Sequence, residues 1–486
     1  MQPSVAKFGE KMRNLTLLTD LYQLTMMNAY LVTGKADTKA NFDVFFRAKE
    51  HLEFAVCAGL EQVIEYINNL HFEEDDIAYL KSLNLFSEEF FAYLKNFKFT
   101  GDISAIREGE IVFPGEPLLT VTAPLIQAQL VETALLNILN HQTLIATKAM
   151  KICQEAKASV MEFGLRRAQG PDAGIYGARA AMIGGCSSTS NVLTCQLFDV
   201  PCAGTHAHSW VMSFSSELDA FRAYAEIYPH NCLLLVDTYD TLKSGVPNAI
   251  KVFDELRAKG IEPKGIRLDS GDLSYLSKEA RKMLDEAGYP NAIICASGDI
   301  DEYILASLNQ QGAKIDVYGI GTKLITSSLT PALGGVYKMS ALQENGEWVP
   351  KMKFSDTVEK ITNPGIKTTW RIYNEEGMAK ADLIALRDET FDTTKPLTVF
   401  HPVETWKHTT FTKYTMRNLM VEVFKDGKQV YFSPTLKEIA EYAKKMRAEF
   451  WSEYTRLVNP HVYKVDLSDK LYDLKKELTY KNAKDQ

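Results

Sequence analysis

The sequence predicts an α/β fold whose middle third forms either a barrel or an open parallel sheet. In that third, short apolar runs are followed by turns rich in Gly, Ser, Thr or Asp and then by stretches of helical periodicity, which is the pattern of repeated βα units. After Gly335 the chain changes to shorter strands and turns, which indicates a return to the first domain. A length of 486 residues allows two or three domains with ample buried core.

The first 150 residues are predicted to form an α/β domain that ends in a bridging helix. Residues 101–123 alternate apolar positions with Gly and Pro turns, which is typical of a small antiparallel sheet. From Leu125 to about Glu155 the chain is apolar over much of its helical surface. We therefore expect one helix, or a broken pair of helices, that is deeply packed and links two domains.

Seven strands are predicted in the middle block, residues 151–340. A typical intervening helix carries Leu276, Ala280 and Leu284 as an apolar stripe and stops at Gly288, where glycine favours a helix end. The next helix should be capped by Asp299 or Asp301. The seven predicted strands are Ser159–Phe163, Met182–Gly185, Val200–Gly204, Cys232–Val236, Gly265–Leu268, Ala292–Cys295 and Ile315–Tyr318.

Residues 341–486 are predicted to return to the first domain and to end in a helical tail. Ser433 and Pro434 suit the N-cap and first turn of a helix whose apolar positions begin at Leu436. The last twenty residues are rich in charge, so we expect them to be peripheral.

Composition excludes several classes of protein. The 54 basic and 62 acidic residues are well mixed and give a net charge of -8, so no broad nucleic-acid-binding surface is expected. The N-terminus lacks the apolar core of a secretion signal, and no apolar run approaches the length of a membrane span. The 7 cysteines show no CxxC spacing and predict reduced thiols. We therefore expect a cytoplasmic protein with neither nucleic-acid nor membrane partners.

Polar residues follow the predicted strands. If the strands are parallel, these residues gather at one rim, where barrel and doubly wound enzymes place their sites. Such turns also use Gly, Ser and Asp for purely conformational reasons. The mixture of glycines and hydroxyls for phosphate, arginines for anions and paired Asp for ribose or hydrated magnesium favours a phosphosugar substrate. The rim residues are Gly164, Arg166, Arg167, Ser187, Ser188, Thr189, Thr205, His206, His208, Asp237, Thr238, Asp240, Asp269, Ser270, Gly271, Asp272, Ser297, Gly298, Asp299, Gly319, Gly321 and Thr322.

Two rim segments could indicate a nucleotide or a metal. The turn from Tyr318 to Ser327 has neither P-loop nor GxGxxG spacing, so ATP, if used, must bind by another arrangement. His206 and His208 form an HxH pair without a nearby third ligand, which is a weak zinc signal. A histidine nucleophile or acid/base group fits the anion-rich rim better.

Several segments together resemble the nicotinate phosphoribosyltransferase family, which belongs to the type II phosphoribosyltransferases. The likeness runs from Leu17 to about Met339 and is carried by Leu17–Met26, Phe42–Glu50, Glu108–Leu119, Glu162–Gly174, Gly204–Trp210, Leu234–Thr241 and Gly265–Leu273. It implies an irregular, TIM-like α/β barrel, a second α/β domain built from the N- and C-terminal segments, and a homodimer whose subunits share active sites. It also implies transfer of phosphoribose from phosphoribosyl pyrophosphate to nicotinate, with ATP hydrolysis and Mg²⁺, in NAD salvage.

The resemblance also implies roles for individual residues. His208 matches the family's phosphorylated histidine, and Asp237 and Asp269 match carboxylates that hold ribose hydroxyls and associated Mg²⁺, which is bound mainly through substrate phosphates. For His206 we expect packing or a supporting role behind the site. The remaining expected substrate-binding residues are Tyr22 (from the neighbouring subunit) and Phe163 around the pyridine ring, Arg166 and Arg267 for the carboxylate and phosphates, Arg47 for pyrophosphate or ATP, Gly298, Asp299, Gly319 and Gly321 around the 5′-phosphate, and Ser188, Thr189, Ser297 and Thr322.

Three alternatives remain. Nicotinamide phosphoribosyltransferase shares the fold and the ATP coupling of the family that this chain resembles. Residues 186–192 of this chain, however, hold no acidic side chain that would accept an amide N–H or repel a carboxylate. Quinolinate phosphoribosyltransferase decarboxylates its substrate without ATP and lacks the phosphorylated histidine. A non-enzymatic phosphosugar-binding scaffold would be expected to lose rim residues such as His208 and Asp237, which are present. These comparisons favour nicotinate.

Overall fold

The computed structural model describes residues 14–355, 360–404 and 406–484, with side chains to residue 481. The N-terminal segment judged to lack a secretion signal lies largely outside this range. The chain divides into two compact units, one formed by residues 1–144 and 332–486 and the other by residues 145–331. Within the described residues, no helix is long and apolar enough to cross a membrane.

The elements before residue 157 include a broken pair of helices where a long apolar helix is predicted. The break falls at Val131, so the alternative of two helices is confirmed. The elements are α1 (Leu21–Val32), β1 (Lys39–Phe46), β2 (Ala55–Val56), α2 (Leu60–Asn68), α3 (Glu74–Ser82), α4 (Glu88–Lys95), β3 (Asp102–Ile106), β4 (Ile111–Val112), β5 (Leu119–Pro124), α5 (Leu125–Leu130) and α6 (Glu132–Ala156).

The middle of the chain alternates strands and helices. Short helical turns of other types occur at Leu165–Arg167, Pro229–Asn231 and Thr241–Gly245. The principal elements are β6 (Ser159–Glu162), α7 (Pro171–Ile183), β7 (Ser188–Thr189), α8 (Val192–Phe198), α9 (His208–Met212), α10 (Glu217–Ile227), β8 (Leu233–Leu235), α11 (Val246–Ala258), β9 (Gly265–Leu268), α12 (Leu273–Glu286), β10 (Ile293–Gly298), α13 (Glu302–Gln310), β11 (Val317–Ile320) and α14 (Thr322–Ile325).

The C-terminal segment is rich in strands and ends in helices. Thr435, not Ser433, caps the helix at Leu436, because its hydroxyl accepts the N–H of Glu438 in a capping box. The elements are β12 (Gly335–Glu344), β13 (Glu347–Pro350), β14 (Lys367–Tyr373), β15 (Ala379–Leu386), β16 (Leu397–Phe400), β17 (His408–Phe411), β18 (Thr415–Asn418), β19 (Met420–Lys425), β20 (Lys428–Gln429), α15 (Leu436–Ala448), α16 (Ser452–Thr455), β21 (Val465–Leu467) and α17 (Asp469–Lys484).

The unit formed by the two ends of the chain contains a seven-stranded sheet in the order β13-β12-β1-β5-β3-β19-β20. Its interior strand β1 pairs antiparallel with β12 from the C-terminal segment and with β5 from the N-terminal segment. Phe42 and Tyr337 stack across the β1–β12 pair with ring centroids 4.7 Å apart, and such aromatic pairs stabilise a sheet beyond their buried area. A second, six-stranded sheet has the order β17-β16-β21-β15-β14-β18.

A buried ion-pair network in this unit joins the N- and C-terminal segments. The fully buried guanidinium of Arg371 lies 2.6 Å from Oε1 of Glu110 and 2.6 Å from Oδ2 of Asp382. Replacing only Arg371 leaves Asp382 buried without its cationic partner and Glu110 with Arg417 alone. We therefore expect Arg371→Met to lower the free energy of unfolding by roughly 3–5 kcal/mol, measured by urea denaturation.

The matched control for that experiment is Arg222→Met. Arg222 pairs with Glu255 at 2.7 Å, but both side chains are nearly half exposed. Loss of an exposed pair costs at most about 1 kcal/mol. Equal effects of the two substitutions would contradict the role given to Arg371.

The unit formed by residues 145–331, all of which are described, contains one parallel six-stranded sheet in the order β7-β6-β11-β10-β9-β8. The predicted strand Gly265–Leu268 has the predicted bounds. β7 and β8 are the two edges and do not pair with each other. The sheet is therefore an open half-barrel. The alternative of an open parallel sheet is confirmed, and the irregular, TIM-like barrel that the family resemblance implies is not found.

Two of the seven predicted strands are wrong. Met182 and Ile183 belong to the end of α7, because a short buried apolar run does not distinguish a strand from a buried helix end. Val200–Gly204 forms no strand, and within it only Cys202 makes an isolated parallel bridge, to Thr189. The sheet accordingly gains its sixth strand at Ser188–Thr189 instead.

The prediction of 7 reduced thiols is also wrong for one pair. Cys195 and Cys202 are joined by a disulfide, because α8 and the turn after it bring these residues together across a short loop. The free cysteines are Cys57, Cys153, Cys186, Cys232 and Cys295.

Candidate active site

A cavity of about 270 Å³ opens where β6, β9, β10 and β11 end. The carboxyl ends of parallel strands lie at one edge of a sheet, so residues that follow the strands meet there. The cavity is lined by Phe163, Arg166, Arg167, Arg267, Asp269, Ser297, Gly298, Asp299, Gly319, Gly321 and Thr322. All of these belong to the rim predicted from the sequence except Phe163, which ends the predicted strand Ser159–Phe163, and Arg267, which lies within the predicted strand Gly265–Leu268.

The aromatic wall of the cavity depends on a glycine in the neighbouring strand. The N–H of Phe163 donates to the carbonyl of Ile320 at 2.8 Å, which places the ring over β11. A Cβ atom at Gly319 would lie 2.5 Å from two carbon atoms of that ring. Only glycine therefore lets Phe163 keep its position.

We expect Gly319→Ala to displace the Phe163 ring and to raise the KM of the aromatic substrate about tenfold, since stacking and burial of one ring contribute on the order of 1 kcal/mol or more. The measurement is steady-state kinetics at varied substrate. In a Phe163→Leu background the additional effect of Gly319→Ala should largely disappear. An unchanged effect in that background would show that the clash with the ring is not the cause.

A charged hydrogen-bond cluster forms the floor of the cavity. Arg267 donates from Nη2 to Oδ1 of Asp269 at 2.7 Å and from Nε to Oγ of Ser297 at 2.8 Å. Ser297 in turn donates to Oδ1 of Asp269 at 2.5 Å. Burial tends to raise the pKa of Asp269, but the Ser297 hydrogen bond and the Arg267 charge outweigh it and lower the pKa. Asp269 is therefore an ionised carboxylate at neutral pH.

Asp237 has one carboxylate oxygen in use and one without a partner. Its Oδ2 accepts the N–H of Asp269 at 2.8 Å and the hydroxyl of Ser270 at 2.7 Å. Its Oδ1 is buried and makes no hydrogen bond to any part of the chain that the structure describes. Because a buried unpaired acceptor is costly, Oδ1 is suited to a ligand hydroxyl or cation.

His208 begins α9 and contacts residues that follow two different strands. Its Nδ1 lies 3.1 Å from Oγ1 of Thr238, which follows β8. Its Nε2 lies 3.8 Å from Oδ2 of Asp269, which follows β9, and the imidazole is 40% exposed. The ring is therefore held by its neighbours but accessible, as a nucleophile or acid/base group requires.

Ser188 and Thr189 do not line the cavity. Thr189 is fully buried and its hydroxyl donates to Oε2 of Glu162 at 2.6 Å. The backbone N–H of Gly164 donates to Oε1 of the same carboxylate. Burial raises the pKa of Glu162, although these two hydrogen bonds oppose the shift. Glu162 thus supports the turn that carries Phe163.

Sequence reasoning missed Glu162 and gave Thr238 no individual role. Glu162 is the last residue of β6 and Phe163 follows it directly, so the alternation of an extended chain places the two side chains on opposite faces. That alternation could have identified a buried carboxylate behind the aromatic residue. The contact of Thr238 with His208 depends on loop conformation, for which the sequence holds no signal.

Two predicted substrate-binding residues, Tyr22 and Arg47, belong to the other unit. Tyr22 lies on α1 and is 48% exposed. Arg47 follows β1 and lines a cavity of about 330 Å³ together with Lys338, Lys367 and Lys475. Nε of Arg47 is buried without a hydrogen-bond partner in the described residues. Burial, together with the nearby charge of Lys367, lowers the pKa of Lys475 to about 8. The excess of cations suits this cavity to an anion.

Comparison with known proteins gives one consistent family. Models of the nicotinate phosphoribosyltransferase N-terminal domain, family and C-terminal domain match residues 17–140, 158–395 and 366–475. The nicotinate phosphoribosyltransferase of Bacillus subtilis is 46% identical over 466 residues, which cover 95% of each chain. The Caenorhabditis elegans nicotinate phosphoribosyltransferase is 37% identical and covers 96% of this chain and 94% of its own length.

A solved structure agrees with these sequence matches. The crystal structure of human nicotinic acid phosphoribosyltransferase superposes with a TM-score of 0.85 at 31% identity, covering 95% of this chain and 99% of that one. The matches span both units, including the strands that position the rim and the segment that carries His208. The chain therefore belongs to the nicotinate phosphoribosyltransferase family.

Proposed function

We propose that this chain transfers phosphoribose from phosphoribosyl pyrophosphate to nicotinate, gives nicotinate mononucleotide and pyrophosphate in NAD salvage, and couples the transfer to ATP hydrolysis through His208. The observation that carries the proposal is that the accessible imidazole of His208 lies 3.8 Å from Asp269, an ionised residue that lines the cavity together with its partner Arg267. Family membership supplies the reaction class. The ATP coupling and the individual residue roles are what the family resemblance implies, and the geometry of the site supports them.

The phosphosugar is assigned to the turns after β8, β9, β10 and β11. Backbone N–H groups at Gly298, Gly319 and Gly321 and the hydroxyl of Thr322 can surround a 5′-phosphate. Ribose hydroxyls would pair with the unpartnered Oδ1 of Asp237 and with Asp269. Ser297 and Asp299 complete this half of the cavity.

Mg²⁺ is assigned to the same region. The free oxygen of Asp237 and the ionised Asp269 fit a hard cation, which prefers carboxylate oxygen and retains water. No group of three His, Cys, Asp or Glu residues is arranged for a metal among the described residues. Substrate phosphates and water would therefore supply most ligands, and the ion would offset phosphate charge.

His208 is assigned as the phosphoryl acceptor. An imidazole nitrogen would attack the γ-phosphorus of ATP, so that an N–P bond forms while the bond to the ADP oxygen breaks. Thr238 and Asp269 hold the ring from opposite nitrogens, which orients it before the attack. Water later cleaves the N–P bond and releases phosphate. ATP would bind without a P-loop, since the chain has none.

The pyridine ring is assigned to Phe163, with Tyr22 of a second subunit on its other face. The guanidinium of Arg267 lies 5.8 Å from the Phe163 ring centroid, close enough to attract the carboxylate of a stacked nicotinate. Arg166 and Arg167 are exposed on the turn Leu165–Arg167 and can share that role. Arg47 is proposed to contact pyrophosphate or ATP phosphates.

Nicotinate is favoured over nicotinamide by the charges around this position. The segment 186–192 has no acid, and the nearby Glu162 is fully buried with both oxygens accepting hydrogen bonds from Thr189 and Gly164. Neither the segment 186–192 nor Glu162 therefore has a carboxylate oxygen available to accept an amide N–H. Three arginines, in contrast, line the cavity.

The test is product formation from phosphoribosyl pyrophosphate with nicotinate or nicotinamide, each with and without ATP and Mg²⁺, followed by chromatography. We expect nicotinate mononucleotide to form faster with ATP and to exceed the amide product. Preference for nicotinamide would move the substrate assignment to the amide. No product from either base would favour a phosphosugar-binding scaffold.

A homodimer with shared sites is part of the proposal, because the family resemblance assigns Tyr22 to the site of a neighbouring subunit. We expect Tyr22→Ala and His208→Ala, each of which should lack ATP-coupled activity alone, to regain about a quarter of the wild-type ATP-coupled activity when mixed, since one site in a mixed dimer is intact. Subunit exchange between the two variants is verified from the mass of the mixed dimer. No recovery after confirmed exchange would show that each subunit holds a complete site. The cytoplasmic location stays a prediction from the sequence.

A further inference from the structure

The segment that precedes His208 joins the two edges of the half-barrel sheet. At the β7 edge, the N–H of Thr189 donates to Pro201 at 3.1 Å and the N–H of Ala203 donates to Thr189 at 3.0 Å. At the β8 edge, the N–H of Leu235 donates to Nε2 of His206 at 3.2 Å. A histidine side chain thus takes the place of a neighbouring strand at the end of β8.

The environment of His206 keeps its ring neutral. The residue is 8% exposed, and its ring meets that of Tyr224 nearly edge to face with centroids 4.7 Å apart. Burial lowers the pKa of His206 to about 4, and the nearby Arg267 charge contributes to the shift. Because Nε2 accepts a hydrogen bond, the proton lies on Nδ1, which is directed at the carbonyl of Ala207 at 3.5 Å.

The contacts of His206 and those of His208 converge on the same strand end. His206 binds Leu235, the last residue of β8, and His208 contacts Thr238 three residues later. On the other side, Thr205 accepts a hydrogen bond from Arg267 at 3.0 Å. The loop from Thr205 to His208 is therefore tied to the residues that form the cavity floor.

We propose that His206 is a positioning residue for His208: its neutral imidazole ties the loop to β8 and so holds the phosphoryl-accepting ring against Thr238 and Asp269. The inference rests on the role proposed for His208. This positioning role differs from simple packing. Packing needs only an apolar group of similar size, whereas the hydrogen bond from Leu235, which we call the tether, needs an acceptor at the position of Nε2.

The test compares His206→Leu, which has no acceptor, with His206→Gln, whose Oε1 can replace Nε2. The control is His230→Leu, at an exposed histidine in the turn Pro229–Asn231. For each full-length protein we would measure the rate of protein-bound phosphate formation from γ-labelled ATP and the rate of ATP-independent transfer. Deuterium uptake by the peptide containing Leu235 reports the tether itself.

We expect His206→Leu to slow phosphoenzyme formation about tenfold, the effect of losing one hydrogen bond. ATP-independent transfer should fall much less, since the phosphosugar turns after β9, β10 and β11 are held by the pairing of their own strands, and only the turn after β8 borders the His206 hydrogen bond. Deuterium uptake near Leu235 should become faster. His206→Gln should recover most of the rate of phosphoenzyme formation and most of the slow deuterium uptake near Leu235. His230→Leu should match the wild type.

Three outcomes would overturn the inference. If His206→Leu and His206→Gln both match the wild type, the ring only packs. If both activities fall in parallel and glutamine gives no rescue, His206 has a general structural role. If the wild type itself forms no phosphoenzyme, the proposed role of His208 fails and the positioning role falls with it, while uptake near Leu235 still reports whether the tether exists.

Discussion

His208→Ala is expected to form no phosphoenzyme and to lose all stimulation by ATP, while a slow ATP-independent transfer of phosphoribose persists. The imidazole is the proposed nucleophile and is accessible beside Asp269, whereas the cavity that would bind both transfer substrates is lined by residues from other turns. The measurement is the initial rate of nicotinate mononucleotide formation with and without ATP, together with ADP release.

The folded state of this variant needs a separate check. His208 is partly exposed and makes one side-chain hydrogen bond, to Thr238, so its replacement by alanine should change the unfolding midpoint little. Retention of ATP stimulation in a folded His208→Ala protein would sink the assignment. Loss of both reactions in a folded protein would show that His208 also serves the transfer step itself.

Asp237→Asn is expected to lower kcat/KM for phosphoribosyl pyrophosphate about 100-fold, because a hydrogen bond to a charged group contributes about 1.5–3 kcal/mol and Mg²⁺ would lose a ligand as well. The remaining amide oxygen can still accept from Asp269 N–H and the Ser270 hydroxyl. The amide NH₂ would then replace the unpartnered Oδ1. The variant therefore keeps the turn and loses only the free acceptor.

The matched control is Asp316→Asn. Oδ2 of Asp316 accepts the N–H of Ile294 at 2.8 Å, as Asp237 accepts that of Asp269, but at the amino ends of β10 and β11. The kcat/KM of the Asp316→Asn variant should equal that of the wild type. A similar loss in both variants would mean that Asp237 acts through stability, and no loss in Asp237→Asn would remove it from the site.

Five strands of the unit formed by residues 145–331 could be predicted, and β9 with its bounds, because β9 carries strong local signals at its borders. Gly265 and Asp269 enclose a short buried run, and the rim after it follows from the geometry of parallel strands. The end of α7 was mistaken for a strand, because Met182 and Ile183 are apolar and buried in either structure.

Neither the open gap between β7 and β8 nor the individual contacts across it could be predicted. The gap between β7 and β8 is spanned by Cys202 and the His206 side chain, which depends on the path of an irregular loop. The same loop brings Cys202 to Cys195. Sequence spacing identified His208 and Asp269 as rim residues, but not which imidazole nitrogen faces which neighbour.

The most direct test of the central claim is a single turnover with γ-labelled ATP and Mg²⁺, followed by mapping of the protein-bound phosphate by mass spectrometry. The claim predicts label on His208 that is discharged as phosphate when phosphoribosyl pyrophosphate and nicotinate are added and nicotinate mononucleotide forms. Mononucleotide formation at an unchanged rate without ATP, with no label on His208, would contradict it.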